Sequence, residues 1–212
     1  MADLFDLFGK LSSPSAARGA PEFMVVGLGN PGKEYVFTRH NAGFLAMDYM
    51  TEKLHLGDLR LSKFKSLVTT ADLGGHRVLL MKPQTYMNAS GEAVREAADY
   101  YKIPPGKILL ISDDVAQEPG RMRIRRSGSD GGQKGLRSVI EHLRTDAFPR
   151  IRIGVGAKPH PEWDMADWVL SKIPEGDREK LFSIFGCVSE AVPMVLDGRI
   201  DDAMAKFNGV RF

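Results

Sequence analysis

Short apolar runs alternating with helical periodicity predict an α/β fold: a single-domain sandwich with a twisted mixed β-sheet flanked by helices. Three observations carry this. Phe23–Leu28 and Lys107–Ser112 are largely apolar runs of strand length, which suit strands covered on both faces. Gly74-Gly75 separates two β-prone segments, and the resulting antiparallel hairpin makes the sheet mixed. From about Met165 onward the chain reads as helix, which makes the C-terminal third helical. At 212 residues, 43% of them apolar, the chain can bury one sizeable core, so one domain is expected.

Residues 1–22 read as a flexible N-terminal extension ahead of a domain over 23–212. Leu4, Phe5, Leu7, Phe8 and Leu11 suit one short amphipathic turn, and Ser12–Pro21 is rich in Ser, Ala, Gly and Pro. Asp3 and Asp6 argue against a transit peptide, and no secretory apolar core is present. After the first strand, Asn41 is placed to cap a helix over Ala42–Leu54, with Phe44, Met47 and Leu54 on one face. Ser66–Asp72 and Arg77–Lys82 form the hairpin. A helix then starts at Asn88 or Ser90 and stops before Pro104-Pro105. Lys107–Ser112 ends at the acidic pair Asp113-Asp114. Arg121–Arg126 alternates charged and apolar residues, and a Gly-rich loop, Ser127–Gly135, leads to a helix over Leu136–Arg144. Arg150–Gly156 is a further alternating strand. The helical third comprises Met165–Leu170, Arg178–Leu196 and Ile200–Phe207.

Bulk properties exclude several function classes. Net charge is +2, so nothing attracts nucleic acid globally and any RNA contact needs a local basic patch. A single cysteine, Cys187, excludes an intrachain disulfide and multi-cysteine zinc patterns, and its apolar helical setting reads as a structural thiol. No stretch approaches the roughly 20 apolar residues of a membrane span, so a soluble, cytoplasmic protein is expected.

His40, bracketed by Arg39 and Asn41 at a loop-to-helix junction, is the candidate general base. Strand ends in an α/β sheet converge on one crevice, and Asn30 and Asp113 each follow a strand. A carboxylate at 113 is suited to fix the imidazole tautomer and leave the other ring nitrogen to take a proton from water. His55, His76, His142 and His160 lie in helix or loop settings that read as exposed. Gly27-Leu-Gly-Asn-Pro-Gly32 has the spacing of a dinucleotide loop, with Asp48 at a passable distance for a ribose contact. However, Pro31-Gly32 makes a turn and the next helix starts only near residue 42. No Gly-x-Ser-x-Gly elbow, His-Glu-x-x-His or Cys/His pairing is present, which removes the usual nucleophile and zinc routes. Arg121, Arg123 and Arg125 share one strand face, and Arg150 and Arg152 repeat the arrangement, so together they form a candidate phosphate-binding track.

Asn30-Pro-Gly-x-x-Tyr35 with Thr38-Arg-His-Asn-x-Gly43, then Lys82-Pro-Gln-Thr-Tyr-Met-Asn-Ala-Ser-Gly91, then Ile111-Ser-Asp-Asp-Val-x-x-x-Pro-Gly120 closely resemble bacterial peptidyl-tRNA hydrolase, in the family's order. The resemblance implies hydrolysis of the ester joining a peptide, or an N-blocked aminoacyl group, to tRNA. It assigns His40, Asp113 and Asn30 to catalysis, with Asn30 and Asn88 contacting the ester and the peptide portion, and Tyr35, Tyr86 and Met87 as the adjoining wall. Arg125 and Arg152 would hold the tRNA 5′ phosphate, and other basic residues the acceptor stem. A monomer needing neither metal nor cofactor is implied.

The chain departs from the family at one place. The usual Gly-Gly-His-Asn-Gly reads Gly131-Gly-Gln-Lys-Gly135. Gln133 still donates and accepts hydrogen bonds, whereas Lys134 carries donors, a charge and no acceptor. Both positions are expected to touch substrate. The competing class is a non-catalytic RNA-binding relative, since the family includes chloroplast splicing factors of the same fold. The presence of His40, Asp113, Asn30 and Asn88 favours an enzyme, and the change at 133–134 is the feature pointing the other way.

Overall fold

A computed structural model describes residues 19–212. The expected amphipathic turn near the N-terminus lies outside the described residues. Seven strands form one mixed sheet in the order β2-β3-β4-β1-β5-β7-β6. They are β1 (Phe23–Gly27), β2 (Leu61–Lys63), β3 (Ser66–Leu73), β4 (His76–Pro83), β5 (Ile108–Asp114), β6 (Met122–Arg125) and β7 (Arg150–Gly154). Strands β4, β1, β5 and β7 run parallel, and β2, β3 and β6 pair antiparallel at the two edges.

The central strands are apolar throughout because both of their faces are covered. In β1 and just beyond it, Met24, Val26 and Leu28 enter one core while Val25 enters the other, and in β5 Ile108 and Leu110 oppose Leu109 and Ile111. Period-2 alternation thus feeds two hydrophobic layers from one strand. Burying each such side chain contributes on the order of 1.5–3 kcal/mol. Helices α1 (Ala42–Lys53), α5 (Glu175–Leu196) and α6 (Ile200–Phe207) cover one face, and α2 (Ser90–Tyr101) and α3 (Lys134–Leu143) the other. The short α4 (Met165–Leu170) lies beside the C-terminal ends of the parallel strands, where the candidate site residues line one cleft. No described helix is long and apolar enough to cross a membrane.

The α/β sandwich and the helical C-terminal third are as expected, with local differences. Strand β2 has only three residues, too short to give a periodic signal. Helix α3 starts at Lys134, two residues earlier than expected, which puts Lys134 inside the helix. Asn41 caps nothing: its side chain is drawn instead to the backbone of Asn30. His76 opens strand β4 half-buried, between Glu22 and Asp197, so it is neither in a loop nor fully exposed. Cys187 packs half-buried on α5, and burial pushes its thiol above the usual range, as suits a structural side chain.

Tight backbone approach sets the site's geometry. A Cβ on Gly43, in the first turn of α1, would lie 2.3 Å from the Ile111 carbonyl oxygen. Only glycine lets α1 start this close to β5, and that approach carries His40 towards Asp113.

Candidate active site

His40 and Asp113 meet across the ends of two elements. His40 lies in a 3-10 turn, Arg39–Asn41, leading into α1, and Asp113 is near the end of β5. The imidazole Nδ1 is 3.0 Å from each oxygen of the Asp113 carboxylate, and both residues are buried. An ionised carboxylate can only accept, so Nδ1 carries the hydrogen and Nε2 keeps its lone pair. Both residues line a cleft of about 580 Å³ shared with Asn30, Asn88, Gln133 and Lys134. A base with its tautomer fixed by a buried carboxylate, opening on a cleft of this size, is suited to take a proton from water.

Gln133 supports the pair. Its Oε1 accepts the Leu136 N–H at 2.7 Å, capping α3, while its Nε2 donates to Asp113 Oδ1 at 3.0 Å. The helix amide needs an acceptor, and this fixes which end of the Gln133 amide faces the carboxylate. The sequence suggests a substrate contact for Gln133; it lines the cleft, with its side chain 5% exposed and bonded to Asp113. Its position just ahead of a helix, where capping residues sit, was the signal that could have shown this.

Asn30 is locked by three hydrogen bonds. Its Oδ1 accepts the Met87 N–H at 2.8 Å. The Asn41 side chain grips its main chain, accepting from Asn30 N at 2.8 Å and donating to Asn30 O at 3.0 Å. The Asn30 Nδ2 has no partner among the described residues, and Asn30 lines the cleft. Asn88 sits exposed in a second 3-10 turn, Met87–Ala89, and its side chain has no partner among the described residues. Met87 is buried behind it, while Tyr35 and Tyr86 stand at the mouth, Tyr86 at 62% exposure.

The opposite wall is α4, fixed by Arg39. The guanidinium stacks 3.6 Å from the Trp168 ring, and Nη1 donates to Ser171 Oγ at 2.6 Å and to the Lys172 carbonyl at 2.8 Å. Arg39 N also donates to the Ser171 carbonyl at 3.2 Å. Burial holds this guanidinium below its usual range, with Asp177 pulling the other way. Arg39 was noted in the sequence only as a neighbour of His40. Its hydrogen-bond partners Ser171 and Lys172 lie 132 and 133 residues away, so no local pattern announces its role.

The arginine track is only partly assembled. Arg152 lines the cleft with its Nε 3.2 Å from Asp114 Oδ2, an ion pair at a distance but without hydrogen-bond alignment. Arg123 is registered opposite Arg152, and Arg125 opposite Arg150. Arg123 and Arg125 are exposed outside the cleft, without partners among the described residues. Arg150 does not belong to the track. It is 1% exposed, and its guanidinium bonds the carbonyls of Gly128, Asp146 and Phe148. Burial pushes its pKa down to about 10. Its alternating position suggests a surface charge, but the loop after β6 and the segment just before β7 together take up its donors.

The Gly27–Gly32 spacing has no dinucleotide geometry. The helix after it opens only at Ala42, and Asp48 is occupied by Lys82 Nζ at 2.6 and 2.7 Å. Among the described residues, no group of three His, Cys, Asp or Glu side chains is placed to hold a metal ion.

Comparison with known proteins gives the family. The family model described as peptidyl-tRNA hydrolase matches residues 24–212. A peptidyl-tRNA hydrolase of Caldicellulosiruptor bescii is 46% identical over 188 residues, covering 89% of this chain and 97% of the relative. One from Clostridium novyi is 44% identical over 189 residues, covering 89% and 99%. The crystal structure of peptidyl-tRNA hydrolase from Acinetobacter baumannii aligns with a TM-score of 0.84 at 32% identity, covering 92% of this chain and 98% of that one. The chain belongs to the peptidyl-tRNA hydrolase family, which are carboxylic ester hydrolases.

Proposed function

We propose that this protein hydrolyses the ester between a peptide, or an N-blocked aminoacyl group, and a ribose hydroxyl of tRNA, and so recycles tRNA from prematurely released peptidyl-tRNA. Family membership supports the reaction class. The observation that carries the mechanism is His40 Nδ1 held 3.0 Å from both oxygens of buried Asp113 beside an open cleft.

His40 Nε2 takes a proton from water as the water oxygen attacks the ester carbonyl. Asp113 stabilises the imidazolium that forms, and the carbonyl oxygen gains charge. The Asn30 Nδ2 and Asn88 amides are the donors available to that oxygen. The bond to the ribose oxygen then breaks, and His40 returns the proton to this leaving group. An ester leaves readily compared with an amide, so one activated water suffices without a covalent intermediate. A positioned base contributes roughly 10²–10⁴-fold and an oxyanion donor on the order of 10²–10³-fold. Tyr35, Tyr86 and Met87 wall the acyl side, and Arg125 and Arg152 take phosphate, Arg152 with its charge partly offset by Asp114.

Gln133 supports the catalytic reading over the RNA-holding one, because its departure from the family motif still leaves a donor on Asp113. The test is release of tRNA by the purified protein from N-acetyl-aminoacyl-tRNA and from free aminoacyl-tRNA. Turnover of the blocked substrate alone is expected. Binding of tRNA with turnover of neither would favour a non-catalytic RNA-binding role.

A further inference from the structure

Lys134 is the one charged side chain lining the cleft that lacks a partner among the described residues. Asp113 is held by His40 and Gln133, and Arg152 stands beside Asp114. Asp164 accepts the amides of Ala166 and Asp167 at 2.6 and 3.4 Å. The placement of Lys134 is also unfavourable for the fold. It is the first residue of α3, whose first turn contains no acidic side chain, so its ammonium faces the positive end of the helix dipole. A cation that has no partner among the described residues and opposes its own helix is not explained by stability.

Its location within the cleft narrows what it meets. Gly131, at one end of the loop before α3, packs against the Arg152 guanidinium, which a Cβ there would approach to 2.7 Å. Gly135, the second residue of α3, packs against Met87 Sδ, which a Cβ would approach to 2.4 Å. The helix that Lys134 opens packs against the Met87–Ala89 turn, which puts its first residue beside the wall that Met87 and Asn88 form. We propose that Lys134 makes the cleft selective for the charge of the acyl group. Its ammonium pairs with an acidic side chain on the residue joined to tRNA, so acidic N-blocked aminoacyl groups react in preference to basic ones. This rests on the hydrolase reading above.

The test uses one tRNA body charged with N-acetyl-glutamate or N-acetyl-lysine, so that only the acyl group differs. For the wild type, kcat/KM is expected to favour the glutamyl substrate by about fivefold, the upper range for an exposed ion pair. Lys134→Met should abolish the preference and Lys134→Glu should reverse it, with an unchanged or raised Tm because an unfavourable helix charge is gone. A preference that survives in Lys134→Met overturns the proposal. So does an equal loss on both substrates with a salt slope shallower by about 0.7, which would assign Lys134 to a tRNA phosphate. If the wild type turns over neither substrate, the hydrolase reading itself fails. If it turns over both equally, only the charge preference fails.

Discussion

Replacing Gln133 with alanine removes two bonds made by one buried side chain, and their sizes can be worked out separately. Loss of the cap on α3 costs about 1 kcal/mol. Loss of the donor to Asp113, a carboxylate only 2% exposed, costs about 1.5–3 kcal/mol, as expected for a hydrogen bond to a charged group. Together Gln133→Ala should lower stability by roughly 2–4 kcal/mol. At about 2–4 °C per kcal/mol for a domain of this size, Tm falls by roughly 5–15 °C. Among the described residues Asp113 then keeps only His40 as a side-chain partner and gains rotational freedom, so the imidazole is aimed less well. Misplacement on this scale slows turnover by on the order of 10- to 100-fold. Thermal unfolding and single-turnover release from N-acetyl-aminoacyl-tRNA measure the two effects. A lower Tm with unchanged turnover would reduce Gln133 to a helix cap, and no change in either would refute the reasoning.

Three other substitutions test separate parts of the site. Arg39→Met removes the bonds to Ser171 and Lys172 and the stacking on Trp168, so α4 loosens. Steady-state kinetics should show a raised KM with a smaller change in kcat. Arg125→Ala should make log affinity for tRNA less steep in log salt by about 0.7–0.9, as one lost phosphate contact requires. Arg150→Met should leave that slope unaltered and lower Tm, because its guanidinium serves the carbonyls of Gly128, Asp146 and Phe148. Titration of tRNA binding at several salt concentrations, with melting curves alongside, separates these last two.

Much of this arrangement was legible in the residues because it is written in local patterns. Continuous apolar runs marked the doubly covered strands β1 and β5, and Gly74-Gly75 marked the hairpin. The convergence of strand ends brought Asn30, His40, Asn88 and Asp113 to one cleft. What stayed hidden depends on long-range contacts. Asn41 reads as a helix cap because Asn is among the residues preferred there, yet the nearby Asn30 backbone offers it both a donor and an acceptor. Arg150 reads as a surface charge because strand alternation gives a side but not what covers it. Arg39 finds its partners through a segment more than 130 residues later, and no window on the sequence contains both ends.

The central claim is that His40 is the base. The most direct measurement is single-turnover release of tRNA from N-acetyl-aminoacyl-tRNA by His40→Ala, with tRNA affinity and Tm measured on the same preparation. The account predicts a folded variant that binds tRNA much as the wild type does and releases it roughly 10²–10⁴-fold more slowly. A folded His40→Ala that keeps near-full turnover would contradict it.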